Sequence, residues 1–207
     1  AREYDAAISP NGNIPVHAFN LISPTFFANS STGNKYSLWV NVYGVSERYL
    51  NVYGEKDLRA QMNQFFHRTY THPVDGTTLD MKMLCNWYWY DETAILETGK
   101  GTKDWNFYRY AETLLSAAEA IAQSSGVNAE AAGYLAQVKA RANMEGKDAS
   151  TIASELQRLG KQAFIEECWK ERLREFPLEM KIWDDCVRTG KFPQISATNK
   201  GEVQFVD

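Results

Sequence analysis

Residues 167–193 read ECWKERLREFPLEMKIWDDCVRTGKFP, and this stretch decides the fold. It holds the pair Glu171-Arg172 and then a Trp-Asp-Asp-x-x-Arg-x-Gly-Lys run that begins at Trp183. Apolar residues recur at helical spacing up to Phe176, where Pro177 ends the helix because it forces the residue before it out of helical geometry. We interpret the charges as a lock, in which charge-assisted hydrogen bonds tie this helix to the segment that follows it. The residues assigned to the lock are Glu171, Arg172, Glu175, Asp184, Asp185 and Arg188.

The segment from Trp105 to Asn143 has the pattern of two antiparallel helices. Gly126 suits a left-handed C-terminal cap, and Asn128 can cap the next helix at once. Asp104 is the predicted N-cap of the first helix. The predicted apolar stripe of that helix consists of Phe107, Tyr110, Leu114, Leu115, Ala118 and Ile121.

The character of the chain changes near Gly99. The part before it is rich in Asn, Ser, Gly and aromatic residues, whereas the part after it has long stretches of helical period. We predict a loop-rich aromatic region over residues 1–98 and a helical core over residues 99–207, packed together as one domain. A last helical region begins after Asp148 and is weakened at Gly160, which costs about 1 kcal/mol relative to Ala.

The aromatic residues before Gly99 are the best candidates for a ligand site. Residues 35–43 alternate strictly, which predicts a strand with one aliphatic face and one aromatic and polar face. Sugars present apolar C–H faces ringed by hydroxyls, so their sites combine exposed aromatic planes with amide or carboxylate partners. We therefore predict that Trp39 contacts the ligand, with Asn41 and Tyr43 beside it. Tyr36 and Tyr53 complete the predicted ligand-binding set.

Three motifs give the chain a resemblance to the SusD/RagB family, the nutrient-binding lipoproteins of the bacterial outer-membrane surface. The first begins at Arg109-Tyr110-Ala111-Glu112, the second spans Ala132 to Ala142, and the third runs from Glu171-Arg172 to Lys191. The segment Asp57-Leu-Arg59 is also similar to a D-x-R segment of such proteins, and we interpret it as scaffold. One departure is Ile182 before the Trp, where members often carry an Arg.

The resemblance implies a mainly α fold of tetratricopeptide-like helical hairpins with a loop-rich, short-strand region. It implies a protein without enzymatic activity that binds glycans or other nutrients and delivers them to a TonB-dependent SusC-like outer-membrane transporter. The implied location is the cell-surface side of the outer membrane, through an N-terminal lipid anchor that this chain does not contain. Because family members are longer, we expect a C-terminal portion whose partners include the missing N-terminal portion of the same protein.

Composition argues against several other classes of protein. The net charge of −4 comes without any Lys/Arg cluster, which argues against nucleic-acid binding. The apolar runs fall short of the roughly 20 residues that a membrane span needs. Cys85, Cys168 and Cys186 form no C-x-x-C pair, and we expect them to be buried as small apolar residues. The sequence indicates neither a metal site nor a cofactor.

Two other functions stay open at the level of sequence. A tetratricopeptide-type adaptor that binds only protein would place the aromatic residues in its core. A glycoside hydrolase would need two carboxylates across a cleft, and Glu167, Glu171 and Glu175 instead share one helix face. We interpret those three carboxylates as structural.

Overall fold

The computed structural model describes residues 45–73, 76–88, 106–177 and 179–207. These residues divide into two compact units. Residues 45–47, 61–73, 76–88 and 106 belong to the first unit, and residues 48–60, 107–177 and 179–207 belong to the second. Residues 48–60, which the sequence assigns to the loop-rich region, thus pack with the helices instead.

The first unit contains a β-hairpin. Strand β1 (Phe66–Thr71) pairs antiparallel with β2 (Thr78–Asn86), and the register shifts between His67 and Thr69, where an irregularity interrupts the ladder. The ring of His67 stacks on that of Trp87 at a centroid distance of 3.9 Å. Phe66, Tyr70, Leu84 and Cys85 of the hairpin are buried.

The second unit is helical, with helices α1 (Tyr110–Ser125), α2 (Ala129–Ala140), α3 (Ala149–Leu156), α4 (Lys161–Glu175) and α5 (Lys181–Thr189). Helix α1 packs on α2 and α4, and α2 packs on α3. Strands β3 (Phe192–Ile195) and β4 (Val203–Val206) then form an antiparallel hairpin. The core consists of small and aliphatic side chains of α1 to α4 with two aromatic rings, and its fully buried members include Leu115, Ala118, Leu135, Ala136, Phe164 and Cys168.

The predicted pair of antiparallel helices is confirmed. Gly126 ends α1 with φ 82°, a left-handed geometry that suits glycine, and its N–H donates to the Ala122 carbonyl. The side chain of Asn128 accepts from the Ala131 N–H and caps α2. All three cysteines are buried, as expected.

The start of α1 and the course of the last helical region differ from the predictions. Helix α1 begins at Tyr110, so its N-cap is Arg109 rather than Asp104. Phe107 and Tyr110 are 76% and 72% exposed and do not join the apolar stripe. Gly160 separates two helices, α3 and α4, and serves as the N-cap of α4.

A strap, which we define as residues 48–60, attaches to the helices by polar contacts. Two short 3-10 helices lie at its ends: Glu47–Val52, which begins one residue before the strap, and Leu58–Ala60. The hydroxyl of Tyr49 donates to the Leu173 carbonyl at 2.6 Å, and that of Tyr53 donates to the Arg174 carbonyl at 3.0 Å. Such bonds fix the strap on the C-terminal half of α4.

None of the helices in the described ranges is long and apolar enough to cross a membrane.

Candidate functional site

Arg59 of the strap lies at the centre of a buried ionic cluster. Its Nη2 donates to Asp57 Oδ2 at 2.7 Å, and its Nη1 donates to Glu171 Oε1 at 2.8 Å and Glu175 Oε2 at 3.0 Å. The side chains of Arg59 and Glu171 are 6% and 1% exposed. Buried charges are tolerated when they are paired and hydrogen-bonded, and this cluster meets that condition. The D-x-R segment is therefore scaffold, as interpreted from the sequence.

Glu171 is held by cations from three elements. In addition to Arg59, Arg174 Nη1 lies 3.2 Å from Glu171 Oε2, and Lys139 Nζ of α2 lies 3.7 Å from the same oxygen. Burial alone raises the pKa of a carboxyl, but the three cations outweigh it and hold the pKa of Glu171 below its ordinary value. Burial is outweighed in the same way at Glu167, where Lys139 and Arg174 lower the pKa to about 2.

Glu175 is shared by three arginines. Arg59 Nη1 lies 3.0 Å from Oε2, whereas Arg109 Nη1 and Arg141 Nη2 lie 3.0 Å and 2.8 Å from Oε1. Arg109 stands at the start of α1 and also binds Glu179 at 2.7 Å. The carboxylate of Glu175 thereby joins the strap to α1, α2 and α4.

We expect this arrangement to make the helical unit sensitive to acid. A carboxyl with a lowered folded pKa contributes stability that is complete above the unfolded pKa and is lost as the pH falls through the folded pKa. For Glu167 those values are 4.5 and about 2, so the loss falls in that interval. Thermal unfolding followed by circular dichroism from pH 7 to pH 2 checks the prediction. A melting temperature that stays constant across the interval contradicts it.

Glu171 and Glu175 do not have the arrangement of a glycosidase pair. Both accept from the same Arg59 nitrogen, and both are buried. A general acid for glycoside hydrolysis needs a raised pKa, whereas that of Glu171 is lowered. The geometry therefore supports a structural role for these carboxylates.

A second ionic cluster joins α4, α5 and α1. Arg172 Nε donates to Asp185 Oδ2 at 2.7 Å. Arg188 donates to Asp185 at 2.8 Å and to both carboxylate oxygens of Glu119 at 2.7 Å and 2.8 Å. The indole Nε1 of Trp169 also donates to Glu119, at 2.9 Å.

The predicted lock between α4 and the following segment is thus confirmed for Arg172 and Asp185. Arg188 instead binds Asp185 of its own helix and Glu119 of α1, and Asp184 is exposed. Glu171 and Glu175 instead pair with Arg59, more than a hundred residues earlier in the chain. Their partner could not be read from local spacing.

A groove of about 470 Å³ lies over the Arg59 cluster. The positive and negative charges of its lining residues are equal in number. The cations are Lys56, Arg59, Lys139, Lys147 and Arg174, and the anions are Glu55, Asp57, Glu145, Glu155 and Glu171. Its lining, all within the described part of the chain, includes no aromatic side chain. The groove therefore has the size of a small-molecule site but lacks both the net charge to attract an ion and the ring on which a sugar stacks.

An exposed surface forms where α1 and α5 begin. Phe107, Tyr108, Tyr110, Met180 and Trp183 are each between 66% and 81% exposed. Lys181 links the two helix starts, because its Nζ donates to the Phe107 carbonyl at 2.5 Å and lies 3.1 Å from Glu112 Oε2.

The predicted ligand residues fall in two groups. Tyr36, Trp39, Asn41 and Tyr43 lie outside the described residues. Tyr53 is fully buried in the strap, where its hydroxyl bonds the Arg174 carbonyl and burial raises its pKa. Its position is that of a core residue, so the structure gives no support to a ligand contact by Tyr53.

Comparison with known proteins decides the family. The SusD family model matches residues 28–206. The chain belongs to the SusD family. A solved structure of a SusD superfamily protein from Parabacteroides distasonis ATCC 8503 is similar to the chain, with 25% sequence identity and a TM-score of 0.70. The match covers 91% of this chain and 38% of that one. No curated protein matches the chain.

Membership in the SusD family agrees with the motifs from which the sequence predicted it. Two of those motifs, the Arg109 and Glu171-Arg172 segments, supply members of both ionic clusters. In this chain the motif residues therefore stabilise the fold by joining its elements through ion pairs. The described residues contain no group of three or more His, Cys, Asp or Glu side chains that could hold a metal ion.

Sequence reasoning did not identify Tyr108 and Trp183 as exposed aromatic residues. Tyr108 and Trp183 lie at helix starts, where the apolar period that identifies core residues has not yet begun or is too short to test. The available signal was the Lys181-x-Trp183 sequence shortly after the helix that Pro177 terminates, because it places a Trp in the first turn of the next helix.

Proposed function

We propose that this chain is part of a SusD-type protein that binds glycans or other nutrients at the cell surface. The bound nutrient is delivered to a TonB-dependent SusC-like transporter in the outer membrane. A lipid anchor at the N-terminus of the longer protein holds it there, and its N-terminal portion completes the fold around this one. The observation that carries the proposal is the SusD family match over residues 28–206. The pairing of Glu171 and Glu175 with Arg59 supports binding rather than hydrolysis as the activity.

The ligand face in this proposal is formed by Trp39, with Asn41 and Tyr43 on the same side of the strand and Tyr36 near its start. Trp39 stands opposite Leu38 and Val40 in an alternating sequence, so the aliphatic face can anchor a strand while the indole stays free for a sugar. An indole plane stacks on the C–H face of a pyranose, and the amide of Asn41 can bond its hydroxyls. This arrangement fits a glycan better than a peptide.

A glycan array probed with the purified protein tests the function. We expect retention on at least one class of oligosaccharide, without release of shorter products on prolonged incubation. Turnover of the oligosaccharide would point to a hydrolase. Failure to bind any glycan would favour the tetratricopeptide-type adaptor.

We expect Trp39→Ala to weaken glycan binding by about 1–3 kcal/mol, the scale of a lost aromatic anchor. Isothermal titration with a glycan that the array identifies measures the change. Trp39→Phe, which keeps a smaller ring, should lose less. Circular dichroism is the control for folding, because a buried Trp39 would instead cost about 3–5 kcal/mol of stability when truncated. Unchanged affinity in the folded Ala variant would remove Trp39 from the site.

Delivery to a transporter has a separate test. The tagged protein, expressed in its own host and extracted with mild detergent, should co-purify with a transporter that peptide mass analysis identifies as TonB-dependent. Recovery of the protein without such a partner would contradict the transport part of the proposal and leave the binding part standing.

A further inference from the structure

Helix α5 has an apolar side that the described part of the chain leaves uncovered. Trp183 and Val187 are 67% and 66% exposed. They stand four residues apart in the helix, so they lie on one face of it, a single turn apart. The ring of Trp183 meets that of Phe192, itself 50% exposed, edge to face at a centroid distance of 6.4 Å. We call these three residues the α5 face.

Another side of α5 attaches the helix to the rest of the helical unit. Cys186 is buried there, and Asp185 accepts from Arg172 Nε of α4. The α5 face is therefore not the side by which this helix packs within the chain. Asp184 and Arg188, which follow Trp183 and Val187 directly, are exposed and give the face a polar border. An apolar patch with a polar rim is the usual composition of a surface that packs on another piece of protein.

The side chains of the α5 face suit an apolar protein contact. Single exposed apolar residues are ordinary on protein surfaces, whereas adjoining ones mark a place of contact. Tryptophan is among the residue types that contribute most to such contacts. Val187 adds a branched aliphatic side chain, which packs among apolar groups and offers no plane on which a sugar stacks. The face itself carries no charge, so it has nothing to attract an ionic ligand.

The length of the related protein indicates what covers the α5 face. The match with the SusD superfamily structure covers 91% of this chain but 38% of that one, so more than half of the related chain lies outside the match. A protein of that length packs its remaining part against the part described here. An apolar helix face is expected at such an internal contact, whereas on a finished surface it would favour aggregation.

We propose that the α5 face is an internal interface, covered in the longer protein by apolar side chains of its N-terminal portion. This inference rests on the proposed function, in which that portion completes the fold. The contact buries Trp183, Val187 and Phe192 and leaves Asp184 in water at its border. Helix α5 is thereby held from two sides, by α4 of this chain and by the N-terminal portion.

A photo-activated cross-linker in the longer protein identifies what lies on the α5 face. Benzoylphenylalanine in place of Trp183 keeps a large aromatic side chain and, on irradiation, bonds to C–H groups in contact with it. We expect a link within one polypeptide that peptide mass analysis places in the N-terminal portion. Benzoylphenylalanine in place of Asp184 is the matched control, one residue along the same helix, and should not form that link.

Thiol labelling tests the same burial with a smaller change. The three cysteines of this chain are buried, and the unaltered longer protein gives the background rate of reaction with a water-soluble maleimide. In the longer protein, Val187→Cys should react at least about tenfold more slowly than Asp184→Cys, because a covered thiol reacts only when the contact opens. A melting temperature close to that of the unaltered protein shows that each variant is folded.

Other results overturn the inference. Equal rates for the two introduced thiols, or no link from position 183, would show that the α5 face lies in water. A link to a second copy or to a co-purified transporter would assign the face to that partner, and links only within residues 1–207 would assign it to this chain. None of these readouts depends on glycan binding. A positive glycan array with any of them therefore overturns the interface alone, whereas an empty array with a link to the N-terminal portion overturns the binding function alone.

Discussion

Replacing Glu171 by Gln is expected to destabilise the protein by about 3–5 kcal/mol, because it leaves buried cations without their counter-charge. Arg59, Arg174 and Lys139 all face this carboxylate, whose side chain is 1% exposed. The amide of Gln keeps the shape but brings an N–H₂ group towards cations that need an acceptor. Chemical denaturation followed by fluorescence measures the change.

Glu155→Gln is the matched control for this prediction. Glu155 is 50% exposed and pairs with Lys147 at 2.9 Å on the surface, where an ion pair contributes at most about 1 kcal/mol. Glycan affinity of the folded Glu171→Gln protein should equal that of the unaltered protein, since Glu171 contacts no ligand in our proposal. Lost binding with unaltered stability would show that the Arg59 cluster is part of the binding site.

Replacing Arg59 by Met should have an effect of similar size, about 3–5 kcal/mol, for the opposite reason. The change leaves three carboxylates, those of Asp57, Glu171 and Glu175, without the guanidinium that they share. Arg141→Met is the control, since Arg141 binds the same Glu175 but is 58% exposed. We expect Arg141→Met to cost less than about 1 kcal/mol. Equal losses in the two variants would show that burial does not determine the strength of these pairs.

The double variant Arg59→Met/Glu171→Gln tests whether the two residues act as one unit. Residues in contact within one network are not additive, with coupling of about 0.5–3 kcal/mol. We expect the double variant to lose less stability than the sum of the single losses, because each substitution removes a charge that the other would leave unpaired. Simple additivity would mean that the contact between Arg59 and Glu171 contributes nothing of its own.

The local features of the helical unit could be predicted because each depends on neighbouring residues. Gly126 and Asn128 terminate one helix and begin the next through contacts within four residues. The same holds for Asp148, whose side chain accepts from the Thr151 N–H and caps α3. Such signals are short-range, so the sequence shows them directly.

The predicted start of α1 was wrong for a reason that is not local. The apolar periodicity continues back to Phe107, but the backbone of Arg109 is extended, so α1 begins only at Tyr110. Arg109 adopts that conformation while its guanidinium binds Glu175 and Glu179, which lie far along the chain. A tertiary ion pair therefore overrides the helical pattern, and the rings before Tyr110 stay exposed.

The ionic clusters could be predicted only in part. The spacing of Arg172, Asp185 and Arg188 places them within reach of one another on consecutive helices. The pairing of Arg59 with Glu171 spans 112 residues, and it cannot be predicted from the periodicity of the sequence. Only the resemblance of the Asp57-Leu-Arg59 segment to the family indicated that it belongs to the scaffold.

The strap has a consequence for the order in which the protein can fold during its synthesis. Residues 48–60 leave the ribosome before their partners, because Tyr49 and Tyr53 bond to α4, and Asn51 bonds to Ser196, which is 145 residues later. The strap cannot reach its native position until Ser196 has emerged. Contacts of such long separation slow folding, since their loops must close before the contacts form. We therefore expect the strap to remain open and accessible to chaperones until Ser196 has been made.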